Sequence, residues 1–323
     1  MTQAPPPTEE TVRNLVRSLL KEGAGSLDVR PVAGSGGHVT WWVGARHVLR
    51  LAPDREAALR QRRELRVRDL VRPHLPVAVP VSVAHGEWAP GLTYTLDAKV
   101  PGGSAPEHDV SALGEADLAG LLTGLREVPV RQAEALGVPR AAPRSLEDLR
   151  TAAEDAAERL AAADEFDAVR LHQFTPPGAV QLAAQGGGAV LVHHGLTAAH
   201  LVVSADGRVR GVLGWADVVL GDPAEDIAVL ALAVGAPAAV RAATLAGYGA
   251  RPCLRGLWLA RCDSLVDLAA RLAGRGDASL PALRKRLRHA WEAILLERVT
   301  ELRGTDADAD ADADDTDDAD DGL

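Results

Sequence analysis

Short apolar runs separated by glycine and proline fill the first 98 residues of the chain and predict a small antiparallel sheet. Apolar residues at helical spacing predict a leading helix over residues 9–22. The strands are predicted at residues 27–32, 39–43, 48–51, 81–84 and 92–98. A charged, helix-prone segment over residues 55–71 separates the third and fourth strands, and Pro73 ends it because proline interrupts helices.

The pattern changes after residue 104, where long Ala- and Leu-rich stretches with helical periodicity replace the short runs. Helices are predicted near residues 111–127 and 145–165, and from about residue 222 to 303. Three β-branched runs interrupt them, at residues 189–192, 201–204 and 209–213. With residues 100–104 as a linker, this order predicts an α+β fold in two lobes. A β-rich lobe with a leading helix covers residues 1–98, and a larger helical lobe with a hairpin covers residues 99–303.

The charge of the chain changes this picture only at its C-terminal end. The chain has 35 Lys and Arg against 45 Asp and Glu, a formal net charge of −10. Residues 304–323 hold ten Asp and no basic residue, so 35 acidic and 35 basic residues remain without them. We predict that this Asp-rich segment is a disordered tail. A neutral body argues against a nucleic-acid partner, because such proteins carry wide basic surfaces.

The apolar runs and the cysteines bear on the location of the protein. No run approaches the roughly 18 apolar residues of a membrane-spanning helix, so no membrane partner is expected. The two cysteines, Cys253 and Cys262, lack the spacing of a metal site. This cysteine usage favours reduced thiols and a cytoplasmic location.

Residues 191–228 carry the most informative motif of the chain. They read LVHHGLTAAHLVVSADGRVRGVLGWADVVLGDPAEDIA. This segment resembles the aminoglycoside phosphotransferase family, the small-molecule branch of the protein-kinase-like fold. Members carry H-G-D-x-x-x-x-N-L, then a hairpin, I-D-W and G-D-P. Other matches to the family, and to its macrolide-kinase-like members, lie at residues 48–51, 63–65, 75–80 and 262–277.

The resemblance implies a two-lobed kinase-like fold and phosphoryl transfer from ATP or GTP to a hydroxyl group of a small molecule. In the family, the Asp of the first motif orients the hydroxyl proton. The Asn of that motif and the Asp of I-D-W hold Mg²⁺. A Lys on the third strand grips the nucleotide phosphates and pairs with a Glu on the next helix.

The chain departs from this pattern at its chemical positions. With His193 at the family's His, Gly195 stands at the catalytic Asp, His200 at the Asn, and Gly214 at the metal-binding Asp. Shifting the register does not supply a base, because no Asp or Glu occurs from residue 168 to 205. The motif predicts a structural role for His193, namely anchoring the backbone of the loop. No catalytic residue is intact, and Mg²⁺ binding is not expected.

Other candidate residues concern nucleotide binding. The glycines Gly34, Gly36 and Gly37 are similar to a loop that covers nucleotide phosphates. Arg50 stands at the position of the Lys, and Glu64 is its candidate partner. Asp217, three residues after Gly214, is a candidate cation ligand, with a solvated turn residue as the alternative.

Four functions remain open on these residues. The first is a catalytically degenerate family member, a pseudokinase, that acts by binding a ligand or a partner. The second is an active antibiotic-type O-phosphotransferase that uses displaced groups such as Asp217 and His194. The third is sequestration of a small molecule without its modification, and the fourth is a protein-interaction scaffold. The first hypothesis follows from the simultaneous changes at Gly195, His200 and Gly214.

Overall fold

A five-stranded antiparallel sheet forms the small lobe in the computed structural model, in the order β1-β2-β3-β5-β4. The structure describes residues 7–20, 28–32, 39–105, 107–172 and 188–294, and every structural statement below concerns these residues. The small-lobe elements are α1 (Glu9–Leu20), β1 (Val29–Pro31), β2 (Val39–Val43), β3 (His47–Leu51), α2 (Arg55–Val71), β4 (Ser82–Ala89) and β5 (Leu92–Ala98).

The two faces of this sheet are covered by different helices. Leu49 and Leu96 are buried on one face and share an apolar cluster with Val12 and Val16 of α1. The other face carries polar side chains toward α2, because successive residues of a strand alternate between faces. Asp54 caps α2, accepting a hydrogen bond of 2.7 Å from the amide of Ala57. Charged side chains of α2 face this polar side of the sheet and pair with charged side chains there.

The large lobe is mostly helical, and α9 lies at its centre, packed against α5, α7, α8 and α10. Its helices are α3 (Ala112–Glu127), α4 (Val130–Ala135), α5 (Leu146–Ala162), α6 (Val169–His172), α7 (Ala224–Val234), α8 (Ala236–Leu245), α9 (Ala250–Leu272) and α10 (Leu280–Ala290). Gly256 lets α9 approach α7 closely, because a Cβ there would lie 2.7 Å from the Ile227 side chain. None of the helices in the described part of the chain combines the length and apolar character needed to cross a membrane.

Two small sheets frame the segment that carries the motif. The strands are β6 (Gly103–Ser104), β7 (Val190–Val192), β8 (Leu201–Val203), β9 (Val209–Val212) and β10 (Val219–Gly221). β8 and β9 form the predicted hairpin, β6 pairs with β8, and β10 pairs with β7. β7 therefore leads into the segment that carries the motif, and β10 follows the hairpin and returns beside β7.

The α+β prediction of an antiparallel β lobe and a larger helical lobe is confirmed. Details differ where apolar spacing carries little signal. β4 extends to Ala89, beyond the predicted residue 84, and β10 and β6 were not predicted because they are only three and two residues long. β6 lies inside the predicted linker. The lobe boundary at residues 98 and 99 stays a prediction, and the Asp-rich tail lies outside the described residues.

Candidate functional site

Arg50 and Glu64 form a two-pronged ion pair between β3 and α2. Arg50 Nη1 donates to Glu64 Oε1 at 2.8 Å, and Nη2 donates to Oε2 at 2.9 Å. Glu64 is 1% exposed and Arg50 17% exposed, so the pair is largely shielded from water. The amide of Gln61, one turn before Glu64, donates to the Arg50 carbonyl at 3.2 Å and holds that strand residue in place. The predicted partnership of Arg50 and Glu64 is thus formed, while their contact with a nucleotide stays a prediction.

Two further residues complete a buried charge cluster, defined here as Arg50, Glu64, Arg68 and Asp97. Arg68 pairs with Glu64 one turn earlier on α2, and its Nη1 donates to Asp97 Oδ2 at 3.0 Å. Burial raises the pKa of Glu64, but Arg50 and Arg68 outweigh it and bring that pKa to about 2. Two positive and two negative groups therefore balance each other, and Glu64 stays ionised.

The sequence analysis predicted Arg50 and Glu64 of the charge cluster but not Arg68 and Asp97. Arg68 lies four residues after Glu64, which is the helical spacing for a neighbouring ion pair and could have been recognised. Asp97 could not be predicted from the sequence, because only the pairing of β5 with β3 brings it beside Arg50.

Trp41 and Trp42 point to opposite faces of β2, because adjacent residues of a strand alternate between its faces. Trp41 is buried in the apolar cluster under α1. Trp42 is paired with Val48 of β3 and lies on the same face as Arg50, with the Lys99 ammonium 4.8 Å from its ring centroid. The glycines Gly34, Gly36 and Gly37 lie outside the described residues, so their phosphate-covering role stays a prediction.

The motif loop, residues 193–200, is anchored from two sides. The amides of His193 and His194 donate to the carboxylate of Asp226 in α7, at 2.7 and 2.9 Å. His193 Nε2 donates to the Leu213 carbonyl at 3.0 Å, and its ring meets Trp215 edge-on at 4.6 Å between centroids. His193 therefore anchors the loop, which is the role that the motif predicted.

Asp226 lies in the first turn of α7, and its carboxylate joins this helix to the motif loop. Asp222 takes the capping role, accepting from the amide of Ala224 at 3.0 Å, and also pairs with Arg255. Burial raises the pKa of Asp226 to about 7, although both loop amides act to lower it.

The buried ring of His193 stays neutral and leaves one nitrogen without a partner. Burial, then the neighbouring His200, lower the pKa of His193 to about 3. With Nε2 donating to Leu213, the Nδ1 atom is a hydrogen-bond acceptor, and it has no protein partner. His193 therefore supports the loop without acting as a base near neutral pH.

Gly195 leaves its family position without a functional group. A Cβ built on Gly195 would lie 3.6 Å from His200 Nδ1 and 3.7 Å from His193 Nδ1, which is ordinary contact. The space for a side chain is present here. The Gly195 carbonyl accepts a hydrogen bond of 2.6 Å from His200 Nδ1, so this residue contributes only backbone to the site.

At Gly214, unlike at Gly195, there is no space for a side chain. Its φ is +81°, in the left-handed region. A Cβ built on it would lie 2.6 Å from His200 Cε1 and 2.7 Å from His200 Nε2, closer than real side chains approach. The imidazole of His200 therefore fills the space in which a side chain at position 214 would begin.

Asp217 ends the short 3₁₀ helix Trp215–Asp217 and is exposed. The Arg63 side chain of α2 donates to the neighbouring Ala216 carbonyl at 3.0 Å, which joins α2 to this turn. Burial lowers the pKa of Arg50, but the charges of Glu64, Asp97 and Asp217 together raise it above its ordinary value. Asp217 is thus within electrostatic reach of the charge cluster.

The residues present do not fit the magnesium ion that the resemblance implies. Among residues 7–20, 28–32, 39–105, 107–172 and 188–294, no three His, Cys, Asp or Glu side chains are grouped to hold a metal ion. Magnesium prefers several oxygen ligands at octahedral positions, whereas Gly195 and Gly214 offer no side-chain oxygen. His194, a candidate displaced group, is exposed and has a φ of +62°.

Comparisons with known proteins show the family of the chain. A family model described as "Phosphotransferase enzyme family" (APH) matches residues 28–257, more than half of the chain. Comparison with the curated proteins finds no match.

Solved structures share the fold at low sequence identity. The GDP complex of aminoglycoside 2'-phosphotransferase-IIIa is 16% identical, with a TM-score of 0.62 over 87% of this chain and 98% of that one. Macrolide 2'-phosphotransferase MphH from Brachybacterium faecium is 21% identical, with a TM-score of 0.56 over 87% and 99% of the two chains. The streptomycin–ATP–APH(2")-IIa ternary complex is 14% identical, with a TM-score of 0.56 over 92% and 96%. Together with the family match, this likeness confirms the predicted resemblance: the chain belongs to the phosphotransferase enzyme family.

Proposed function

We propose that this chain is a catalytically degenerate member of its family, a pseudokinase that acts by binding a small-molecule ligand or a protein partner. The observation that carries the proposal is the state of the three chemical positions. Gly195 has no side chain, Gly214 has none, and His200 packs its ring over Gly214. The loop nevertheless keeps its anchors at Asp226 and Leu213.

The expected loss of rate is large. A positioned acid or base contributes roughly 10²- to 10⁴-fold to a reaction rate. Phosphoryl transfer depends mainly on positioning and on neutralising the phosphate charge with metal ions. A cleft with glycine at both the base and one metal position lacks both contributions.

Binding is supported by the intact charge cluster. Arg50 uses two of its five N–H donors on Glu64, and the remaining donors suit an anionic phosphate group. The similar structures were solved with GDP, and with ATP and streptomycin. We therefore propose ATP or GTP as candidate ligands, and a small-molecule antibiotic as a candidate second ligand.

A transfer assay tests the proposal. The purified full-length chain is incubated with γ-labelled ATP or GTP and Mg²⁺, together with aminoglycosides and macrolides. The expected result is no labelled product above the level without protein. Robust labelling of any hydroxyl compound would refute the pseudokinase proposal.

An active phosphotransferase with displaced groups is the second candidate, and one observation favours it. The carboxylate of Asp217 is exposed and acts electrostatically on Arg50, so an acid lies near the position of the phosphates. If a transfer activity is found, Asp217→Asn separates the two candidates. Loss of activity in this variant supports a displaced base or metal ligand, and unchanged activity excludes that role for Asp217.

A thermal-shift measurement separates ligand binding from a pure scaffold role. A ligand that binds the folded chain raises its melting temperature by mass action. ATP and GTP at millimolar concentration are expected to raise it. Absence of a shift with either nucleotide, together with retained protein partners in a pull-down, would favour the scaffold.

A further inference from the structure

His200 is held by hydrogen bonds to both its backbone and its ring. Its amide donates to the Thr197 carbonyl at 2.9 Å, and its carbonyl accepts from the Leu213 amide at 2.9 Å. Its Nδ1 donates to the Gly195 carbonyl at 2.6 Å. A carbonyl oxygen can only accept, so the proton lies on Nδ1 and the ring orientation is defined.

The ring so held excludes any side chain at position 214. Three ring atoms of His200 lie 2.6–2.8 Å from the place of a Cβ on Gly214. Even a methyl group would force the ring to rotate away and lose its hydrogen bond to Gly195. The backbone itself is a smaller obstacle to Asp, because Asn and Asp enter the left-handed region more readily than other non-glycine residues.

We propose that His200 and Gly214 form a fitted pair that closes the metal position, so that phosphate-bearing ligands bind this cleft without a divalent cation. The inference rests on the proposed function. It goes further in naming the ligand class, a metal-free nucleotide or phosphate ester, and the contact that excludes the metal. Hydrogen-bond donors for the phosphates come from Arg50, whose guanidinium is fixed by Glu64.

The inference makes the two positions interdependent. Gly214→Asp alone restores a carboxylate but meets the His200 ring, so it costs stability. His200→Asn alone frees the space but provides no carboxylate at position 214. Both changes together give a carboxylate and an amide oxygen, which are ligand types that Mg²⁺ and Mn²⁺ accept. A cation effect is therefore expected only in the double variant.

The experiment compares the full-length wild-type chain, the two single variants and the double variant. Melting temperatures are measured with and without ATP, in EDTA and in Mn²⁺, and bound Mn²⁺ is measured directly by electron paramagnetic resonance. For the wild type, ATP is expected to raise the melting temperature equally in EDTA and in Mn²⁺. Gly214→Asp is expected to melt several degrees lower, and the double variant to regain that loss and bind Mn²⁺.

A control with a matched change separates the His200 contact from the backbone cost of a positive φ. Gly137 has the same φ of +81° as Gly214, and no neighbouring atom lies within 4 Å of a Cβ built on it. The Gly137→Ala variant is expected to show only the backbone cost, and the Gly214→Ala variant to lose several degrees more. Equal melting temperatures for these two variants overturn the proposed fit between His200 and Gly214.

The remaining outcomes also decide the inference. An ATP shift that requires Mn²⁺ in the wild type overturns it, and so does the absence of any ATP shift in EDTA. Manganese binding by Gly214→Asp alone, without loss of stability, also overturns it. The transfer assay tests the proposed function separately. If the chain needs Mn²⁺ to bind ATP but transfers no phosphate, only this inference is refuted.

Discussion

The charge cluster and the motif loop lie close together, but the cluster is built from charged side chains and the loop lacks the charged residues of the motif. Glu64 is near enough to His193 to act on its pKa, against the larger effect of burial. In the cluster, each charged side chain contacts an oppositely charged one. In the loop, the positions that carry charge in the resembling motif hold Gly195, His200 and Gly214. The contacts that shape this loop are thus independent of the groups that would perform chemistry on it.

The anchors of the loop explain this independence. Asp226 and Leu213 bind the loop through its backbone and through His193, and neither contact uses Gly195. A glycine there therefore removes a functional group without removing a structural contact. The charge cluster has no such freedom, because its side chains are at once the charged groups and the contacts between β3, β5 and α2.

The largest expected effect comes from breaking the charge cluster with Glu64→Gln. The change leaves two buried arginines with only Asp97 in the cluster, and breaking a buried ion pair from one side costs about 3–5 kcal/mol. Urea unfolding measures the loss of free energy. The folded-state pKa of about 2 lies below the ordinary 4.5, so the contribution of Glu64 is present above about pH 4.5. It is lost as the pH falls toward 2.

Glu56→Gln is the matched control on the same helix. Glu56 is 80% exposed and pairs with Arg60 at 2.9 Å on the surface. Surface pairs of this kind contribute about 0–1 kcal/mol. Similar losses for Glu56→Gln and Glu64→Gln would contradict the structural importance assigned to the cluster.

A smaller effect is expected when Asp226→Asn weakens the loop anchor. Asn has an NH₂ group, which only donates, where Asp has a second oxygen, so one loop amide loses its acceptor, at a cost of about 1–3 kcal/mol. Urea unfolding of the wild type and the variant provides the difference. A variant as stable as the wild type would mean that the loop does not depend on this anchor.

The raised pKa of Asp226 predicts that the stability difference between the wild type and Asp226→Asn depends on pH. The folded-state pKa of Asp226, about 7, lies above the ordinary 3.8, so the folded chain holds a proton that the unfolded chain releases. The contribution of Asp226 is therefore full below about pH 4 and is lost as the pH rises through 7. The stability gap between wild type and Asp226→Asn should narrow from pH 5 to 8. A gap that is constant across this range would contradict the raised pKa.

The smallest expected effect is that of Lys99→Met, which sharpens the contrast between buried and exposed charge. The change keeps an unbranched side chain beside Trp42 and removes the ammonium 4.8 Å from its ring. Cation–π contacts near the surface contribute about 0.5–1 kcal/mol. Urea unfolding should therefore show a loss well below that of Glu64→Gln. A loss as large as that of Glu64→Gln would mean that Lys99 belongs to the buried network.

The prediction from the sequence was best where a residue acts through local order along the chain. The family resemblance implied both the Arg50–Glu64 partnership and the anchoring role of His193. The positions without chemistry, Gly195 and Gly214, are visible directly because glycine has no side chain. The prediction missed Asp97 in the charge cluster and the contact of Asp226 with the motif loop, because each acts on a segment far from it in sequence.

The amino-acid sequence by itself determined the family, the two-lobed α+β fold and the loss of acids from the motif loop. These depend on residue types, spacing and order, which are properties of a linear chain. Only the tertiary structure decided that Arg68 and Asp97 complete the charge cluster, and that Asp226 holds the loop. It also distinguished the two glycines, since space remains at Gly195 while the His200 ring fills the position beside Gly214. The physical reason is that steric exclusion and buried charge pairing depend on distances between side chains, which spacing along the chain does not specify.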